Sequence, residues 1–93
     1  MYFAFSNIKF KKHSAENWLV ISGEITNNAG KNFQAVVFRL VIFNKNTPIC
    51  NTTFTINGFH IGQTKTFERQ VGELEYKIVP EISRYEIYAE SAY

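Results

Sequence analysis

The sequence predicts an all-β domain built as a β-sandwich of about seven antiparallel strands. Three observations carry this prediction. Apolar residues recur at every second position along most of the chain, as they do on the buried face of a strand. Aromatic residues make up 16% of the 93 residues, and aromatic and β-branched side chains pack well on a pleated surface. Turn-forming residues separate the apolar runs at roughly 8–12-residue intervals, a spacing typical of sandwiches and barrels. An OB-like β-barrel is the alternative.

Length and composition place residues 1–93 in a single domain with one core. The net charge of +2 is too small to imply a nucleic-acid or membrane partner by bulk electrostatics. Cys50 is the single cysteine, so an internal disulfide is excluded. No apolar run reaches the length of a membrane span. The start at Met1–Phe5 lacks the features of a signal peptide, and the cellular location is left unknown.

In the first strand, the apolar residues change from odd to even positions partway along. Phe3 and Phe5 stand at odd positions, whereas Ile8 and Phe10 stand at even ones. One extra residue in a strand moves every later side chain to the other face. We therefore expect a β-bulge or a break near Ser6-Asn7.

A polar loop over residues 12–17 leads to the second strand. One face of this strand is formed by Leu19, Ile21, Gly23 and Ile25. A glycine inside a strand marks a bulge or a close approach by a neighbour, here expected to be a Phe ring. At the end of the strand, Asn27 is expected to bond its own backbone and to begin a turn over residues 27–30.

The third strand, residues 33–44, is too long and too apolar to lie at a solvated edge, so we expect it at the centre of a sheet. Its even positions, Val36 to Ile42, should face the core. Its odd positions carry the candidate interaction face: Phe33, Val37, Arg39, Val41 and Phe43. A sandwich has one core, so this stripe should meet solvent, a second copy or a partner. The alternative is that segment 72–80 folds over it.

The C-terminal half continues the strand pattern. Turns are expected at residues 44–48, at Asn57-Gly58 and at Gly62, with a strand over residues 63–71. Segment 72–80 fits either a short helical turn or an irregular strand. A last strand has one face formed by Tyr85, Ile87 and Ala89.

The run Leu40-Val41-Ile42-Phe43-Asn44 resembles the motif that names the FxLYD domain family, with conservative replacements at all four specified places. Ile21–Asn27 is similar to the family's "Val-x-Gly-x-Val-x-Asn" strand. Ile61–Phe67 is similar to its "Pro-Gly-Gln-Thr…Phe" element, without the proline. The order and spacing agree over about residues 18–90. The resemblance implies an immunoglobulin-like β-sandwich, usually a module of prokaryotic envelope or extracellular proteins, with no catalytic residues to carry over.

The sequence predicts no catalytic, cofactor-binding or metal-binding residues. It contains no Asp. Cys50 and His60 would form a nucleophilic pair only if the fold brought them together, and a lone Cys is more often a small buried apolar residue. His13 and His60 have no partners at zinc-ligand spacing, and no glycine-rich phosphate loop is present. We therefore expect neither an enzyme nor a bound cofactor.

Three binding functions follow from these observations. The favoured one is a non-catalytic interaction or spacer module that binds a protein partner or forms a homodimer. The alternative is a small-ligand or carbohydrate binder that uses exposed Trp18, Tyr76 and Tyr88. A Trp18 ring buried in the core would argue against this alternative. The third is nucleic-acid binding by the basic cluster at residues 9–13. It is disfavoured, because lysines on an edge strand more simply block unwanted sheet pairing.

Overall fold

The computed structural model describes residues 2–93, apart from the side chain of Glu73. Strands contain 71% of the chain, and the helical content of the described residues is one short 3-10 helix. The elements in chain order are β1 (Phe3–Lys12), β2 (Trp18–Asn27), β3 (Phe33–Asn44), β4 (Thr47–Phe59), β5 (Thr64–Glu75), the 3-10 helix (Tyr76–Glu81) and β6 (Arg84–Ala92).

The strands form two antiparallel sheets, which confirms the predicted sandwich. The first sheet has the order β1-β2-β5 and the second the order β4-β3-β6. These orders correspond to strands A-B-E and C′-C-F of the immunoglobulin sandwich, and β3 is central, as expected. The pairing of β5 with β2 is irregular between Gln70 and Glu75. The described residues thus form six continuous strands, or seven when the two segments of β5 are counted separately.

The core lies between the sheets and is rich in stacked Phe rings. Phe38 of β3 stacks on Phe54 of β4 with ring centroids 5.5 Å apart, and Phe54 stacks on Phe67 of β5 at 4.9 Å. Phe3 of β1 packs edge-on against Phe38 at 5.3 Å. Aromatic pairs prefer such offset and edge-to-face arrangements. This row of rings therefore joins the first sheet to the second.

The bulge expected in β1 is confirmed. The register of β1 against β2 shifts between Ser6 and Lys9, and Asn7 takes a positive φ of 53°. Asn tolerates this left-handed conformation better than most residues. Because of the shift, the side chains before and after the bulge, Phe5 and Ile8 among them, pack against the same core.

The turn predicted at Asn57-Gly58 is wrong, because β4 continues past it. Asn57 pairs with Ala35, and Phe59 pairs with Phe33. The chain reverses instead at residues 60–63, where the Gln63 N–H donates to the His60 carbonyl at 3.1 Å. The predicted turn at Gly62 is present, with a φ of 73° that glycine adopts without strain.

Segment 72–80 combines both of its predicted conformations. β5 extends to Glu75, and the 3-10 helix follows. This helix contacts β1 and β2, and Leu74, Ile78 and Val79 pack against the core. The segment therefore closes one end of the sandwich, and the alternative that it covers the candidate interaction face is wrong. No helix in the described residues is long and apolar enough to cross a membrane.

Candidate functional site

The candidate site is the outer face of the second sheet, formed by the side chains of β3, β4 and β6 that point away from the core. Along β3, the even positions from Val36 to Ile42 are buried, as predicted. The odd positions point outward between two neighbouring strands. Arg39 pairs with Thr53 on one side and with Tyr88 on the other. This geometry gives a three-stranded surface with Arg39 near its centre.

The structure places four of the five predicted residues on this face. Val37, Arg39 and Phe43 are half-buried, and Val41 is only 8% exposed. Phe33 is a correction: it is 5% exposed and belongs to the core cluster. The reason is that its ring meets that of Phe3, with centroids 5.9 Å apart, at the end of the sandwich.

A polar network fixes Arg39 across the face. Its Nε and Nη2 donate to the two carboxylate oxygens of Glu90 at 2.5 and 3.1 Å, and its Nη1 donates to Asn51 Oδ1 at 2.5 Å. Hydrogen bonding to Arg39 lowers the pKa of the Glu90 carboxyl, and the same contact raises the pKa of Arg39. Because both side chains remain accessible to solvent, this ion pair contributes little to stability. Its consequence is that the guanidinium is held in one orientation.

A second arginine covers the apolar end of the face. The Arg84 guanidinium carbon lies 3.7 Å from the centroid of the Phe43 ring, within the range of a cation–π contact. Arg84 Nη1 also donates to Glu86 at 2.6 Å. The apolar stripe is thus partly shielded by arginine side chains of the same chain. Sequence reasoning missed this cover, because alternation predicts which side chains share a face and not which lie over them.

Two exposed tyrosines complete the face. Tyr88 is 45% exposed beside Arg39, and Tyr93 is 69% exposed. The backbone N–H of Tyr93 donates to the Ala35 carbonyl at 2.9 Å. The sequence pattern assigns Tyr88 to the ligand-binding alternative and assigns no role to Tyr93. The alternation along β6 could have placed Tyr88, since Arg84, Glu86 and Tyr88 occupy successive outward positions.

The three aromatic residues of the ligand-binding alternative do not form one platform. Trp18 is half-buried on the outward side of the first sheet, where it lines a cavity of about 420 Å³. Tyr76 lies next to that cavity, because its N–H donates to the carbonyl of Asn17 at 2.8 Å. Tyr88 lies on the other sheet. A ligand could therefore contact Trp18 in this cavity, but it could not contact Tyr88 at the same time.

Cys50 and His60 do not meet. Cys50 lies within β4, and His60 follows the last residue of the same strand. Ten residues of extended chain span roughly 33 Å, so the nucleophilic pair cannot form. The Cys50 side chain is half-buried near Gly72, and burial raises the pKa of its thiol.

This environment predicts that the Cys50 thiol reacts slowly at neutral pH. The thiolate is the reactive form, and a raised pKa together with partial burial reduces both its population and its access. We expect Cys50 in the folded protein to react with Ellman's reagent several-fold more slowly than in guanidinium chloride. Absorbance of the released thiolate checks this. Equal rates in both solvents would show that Cys50 is freely accessible.

The other candidate groups have local roles. His13 Nδ1 accepts the Ala15 N–H at 3.1 Å inside the loop between β1 and β2. Lys11 forms an ion pair with Glu68 at 2.8 Å on the first sheet, and β1 lies at a sheet edge. The described residues hold no group of three or more His, Cys, Asp or Glu placed to bind a metal ion.

Comparisons with protein-family models, with curated proteins and with solved structures found no match. The basis for a function is therefore the fold together with the chemistry of the site. These define a small all-β sandwich of two antiparallel sheets. Its second sheet carries an outer face rich in arginine and tyrosine.

Proposed function

We propose that this chain is a non-catalytic interaction module that binds another protein through the outer face of the second sheet. The observation that carries the proposal is the composition of that face. Arg39, Arg84, Tyr88 and Tyr93 lie beside or above an apolar layer that includes Val37 and Phe43. Tyrosine and arginine are enriched at the centres of protein interfaces and among the residues that dominate binding energy.

The arrangement also lowers the entropic cost of binding. Arg39 is already held by Glu90 and Asn51, so less side-chain freedom is lost when a partner docks. Tyr88 and Tyr93 offer large contact areas with few rotatable bonds. Both features favour a surface that is organised before its partner arrives.

The size of the face indicates a weak or transient complex. Three strands about 4.8 Å apart and roughly ten residues long define a surface of about 500 Å². A standard interface buries about 800 Å² on each partner. A partner limited to this face would therefore bind weakly, and a tighter complex would need contacts beyond it.

A second copy of the chain is the first partner to test. The face carries charges of both signs. Its arginines are Arg39 and Arg84, and its carboxylates are those of Glu86 and Glu90. In a two-fold dimer each surface meets itself, so charges of both signs allow complementary pairing. Self-association should then depend on the tyrosines that lie beside these charges.

Light scattering of the wild type across a wide concentration range tests the dimer. We expect the average mass to rise with concentration, and Tyr88→Ala to weaken association by about fivefold or more, as loss of an interface hot spot does. Val37→Glu should dissociate the dimer without unfolding it, since Val37 is half-buried. Tyr76→Ala is the matched control, because Tyr76 is 40% exposed and Tyr88 is 45% exposed.

The outcomes separate the versions of this proposal. A wild type that stays monomeric at high concentration removes self-association and leaves a different protein as the partner. An equal effect of Tyr76→Ala and Tyr88→Ala would contradict the assignment of the face. A Val37→Glu variant that unfolds would show that this residue contributes mainly to the fold.

We also propose membership of the FxLYD family, with the envelope or extracellular location and the spacer role that the resemblance implies. The strand order A-B-E and C′-C-F supports it as far as the fold is concerned. The full-length gene product provides the test. An upstream lipobox or membrane span would support an envelope module, and a cytoplasmic fusion partner would argue against one.

A further inference from the structure

A cavity of about 420 Å³ lies beside Trp18 on the first sheet. The proposed interaction face belongs to the second sheet. Glu16, Asn17, Trp18 and Glu75 line the cavity. This volume is within the range of small-ligand sites. Trp18 is the aromatic residue of this lining, and Glu16 and Glu75 are its two acidic residues.

Backbone hydrogen bonds hold Asn17 and Trp18 of this lining in place. The Tyr76 N–H donates to the Asn17 carbonyl at 2.8 Å, and the His13 N–H donates to the Trp18 carbonyl at 3.0 Å. Trp18 pairs with Glu75 across the sheet, so both side chains project to the same side. The cavity therefore lies where the loop before β2, the end of β5 and the start of the 3-10 helix are tied together.

The charge of the lining selects the ligand. Two of its four side chains are carboxylates. Glu75 has an ion-pair contact with Lys77 Nζ at 3.8 Å, but the Lys77 side chain is 82% exposed, so solvent screens the pair strongly. The face of an indole ring also attracts cations. A positive ligand is therefore favoured on both counts, and an anionic one is disfavoured.

We propose that this cavity binds a guanidinium group, as presented by the side chain of an arginine. Carboxylates only accept hydrogen bonds, so the ligand has to donate them. A guanidinium donates from five N–H groups, matches a carboxylate in a bidentate pair and stacks flat on an aromatic ring. A quaternary ammonium lacks the donors, and a neutral sugar lacks the charge.

Trp18 makes the test direct, because it is the only Trp of the chain. N-acetyl-arginine amide is titrated at low ionic strength while Trp18 emission is recorded. We expect a saturable change with a Kd of order a few millimolar, since a single small side chain forms few contacts. The citrulline analogue, equal in shape and without charge, should bind at least fivefold more weakly. Tetramethylammonium and glucose serve as the quaternary and saccharide probes.

Variants locate the binding within the cavity. Glu16→Gln and Glu75→Gln should each weaken arginine binding by about two- to fivefold, the range of exposed ion pairs. Glu68→Gln, an exposed position of the first sheet outside the cavity lining, is the matched control and should leave the affinity unchanged. Circular dichroism of each variant verifies the fold.

Four results would overturn the proposal. The first is the absence of a saturable change in Trp18 emission up to about 50 mM N-acetyl-arginine amide. The second is equal binding of the citrulline analogue, and the third is stronger binding of glucose or of tetramethylammonium. The fourth is wild-type affinity in both glutamate variants. Stronger glucose binding would assign the cavity to carbohydrates instead. None of these results depends on whether the second sheet binds a protein.

Discussion

Replacement of Asn27 by Asp is expected to destabilise the domain by about 3–5 kcal/mol at pH 7, the cost of an uncompensated buried charge. Asn27 is fully buried. Its Nδ2 donates to the carbonyls of Lys31 at 2.9 Å and Phe59 at 3.1 Å, and its Oδ1 accepts the Ala29 N–H at 2.9 Å. A carboxylate keeps the acceptor but turns a negative oxygen toward two carbonyl oxygens. Small domains have only about 5–15 kcal/mol of stability, so the loss is severe.

The loss should depend on pH. Burial and the two facing carbonyls disfavour the charged form, so the introduced carboxyl has a pKa in the folded state above its unfolded value of about 3.9. Below that unfolded value the group is protonated in both states, and its O–H can donate to one of the carbonyls. The destabilisation is therefore smallest there. It grows as the pH rises through the interval up to the folded-state pKa, and it is complete above it.

Urea denaturation of wild type and Asn27→Asp at pH 4 and pH 7 measures both effects. Comparison with the wild type at each pH removes the titration of all other groups. Asn28→Asp is the matched control, because it makes the same change in charge at the exposed neighbouring position. It should alter stability by less than about 0.5 kcal/mol. An Asn27→Asp variant within about 1 kcal/mol of the wild type at pH 7 would refute the buried-network account.

The sequence was sufficient for the all-β fold and for most core positions, because alternation is a local signal. The inward positions of β2 and β3, such as Leu19, Ile21 and Phe38, are fully buried as predicted. Asn27 was correctly assigned to the turn, as its bond to the Ala29 N–H confirms. Its bond to Phe59, 32 residues away, could not be predicted, since nothing local to either residue specifies the other.

The side-chain contacts of the proposed interaction face were less predictable, because they too join residues far apart in the sequence. The Arg39–Glu90 pair joins residues 51 positions apart, and the cover of Phe43 by Arg84 requires β6 to lie beside β3. The misplaced turn at Gly58 has a local cause. Glycine permits a positive φ, here 64°, without reversing the chain, so its presence alone does not distinguish a bend within a strand from a turn between strands.

Replacement of Gly23 by Val is expected to destabilise the domain by about 1–3 kcal/mol through overpacking. A Cβ at Gly23 would lie less than 3.0 Å from Ile8 Cδ1, 3.1 Å from Phe67 Cε1 and 3.2 Å from the Ser6 carbonyl oxygen. The end of the half-buried Ile8 side chain can move. The buried Phe67 ring and the β1 backbone have less freedom, and Val adds two further methyl groups. Its better strand propensity is worth at most about 1 kcal/mol.

Thermal melting measures this cost, since about 1 kcal/mol corresponds to a shift of roughly 4–8 °C in a domain of this size. Ser22→Val, on the outward side of the same strand, is the matched control and should not lower the melting temperature. A double-mutant cycle of Gly23→Ala and Ile8→Val isolates the nearest contact. Ile8→Val removes the Cδ1 atom, so it should reduce the penalty of Gly23→Ala by about 0.5 kcal/mol or more. Additive effects would show that Ile8 yields freely, and that any remaining penalty comes from Phe67 and the Ser6 carbonyl. An unchanged or raised melting temperature for Gly23→Val would show that the sheet has room for a side chain here.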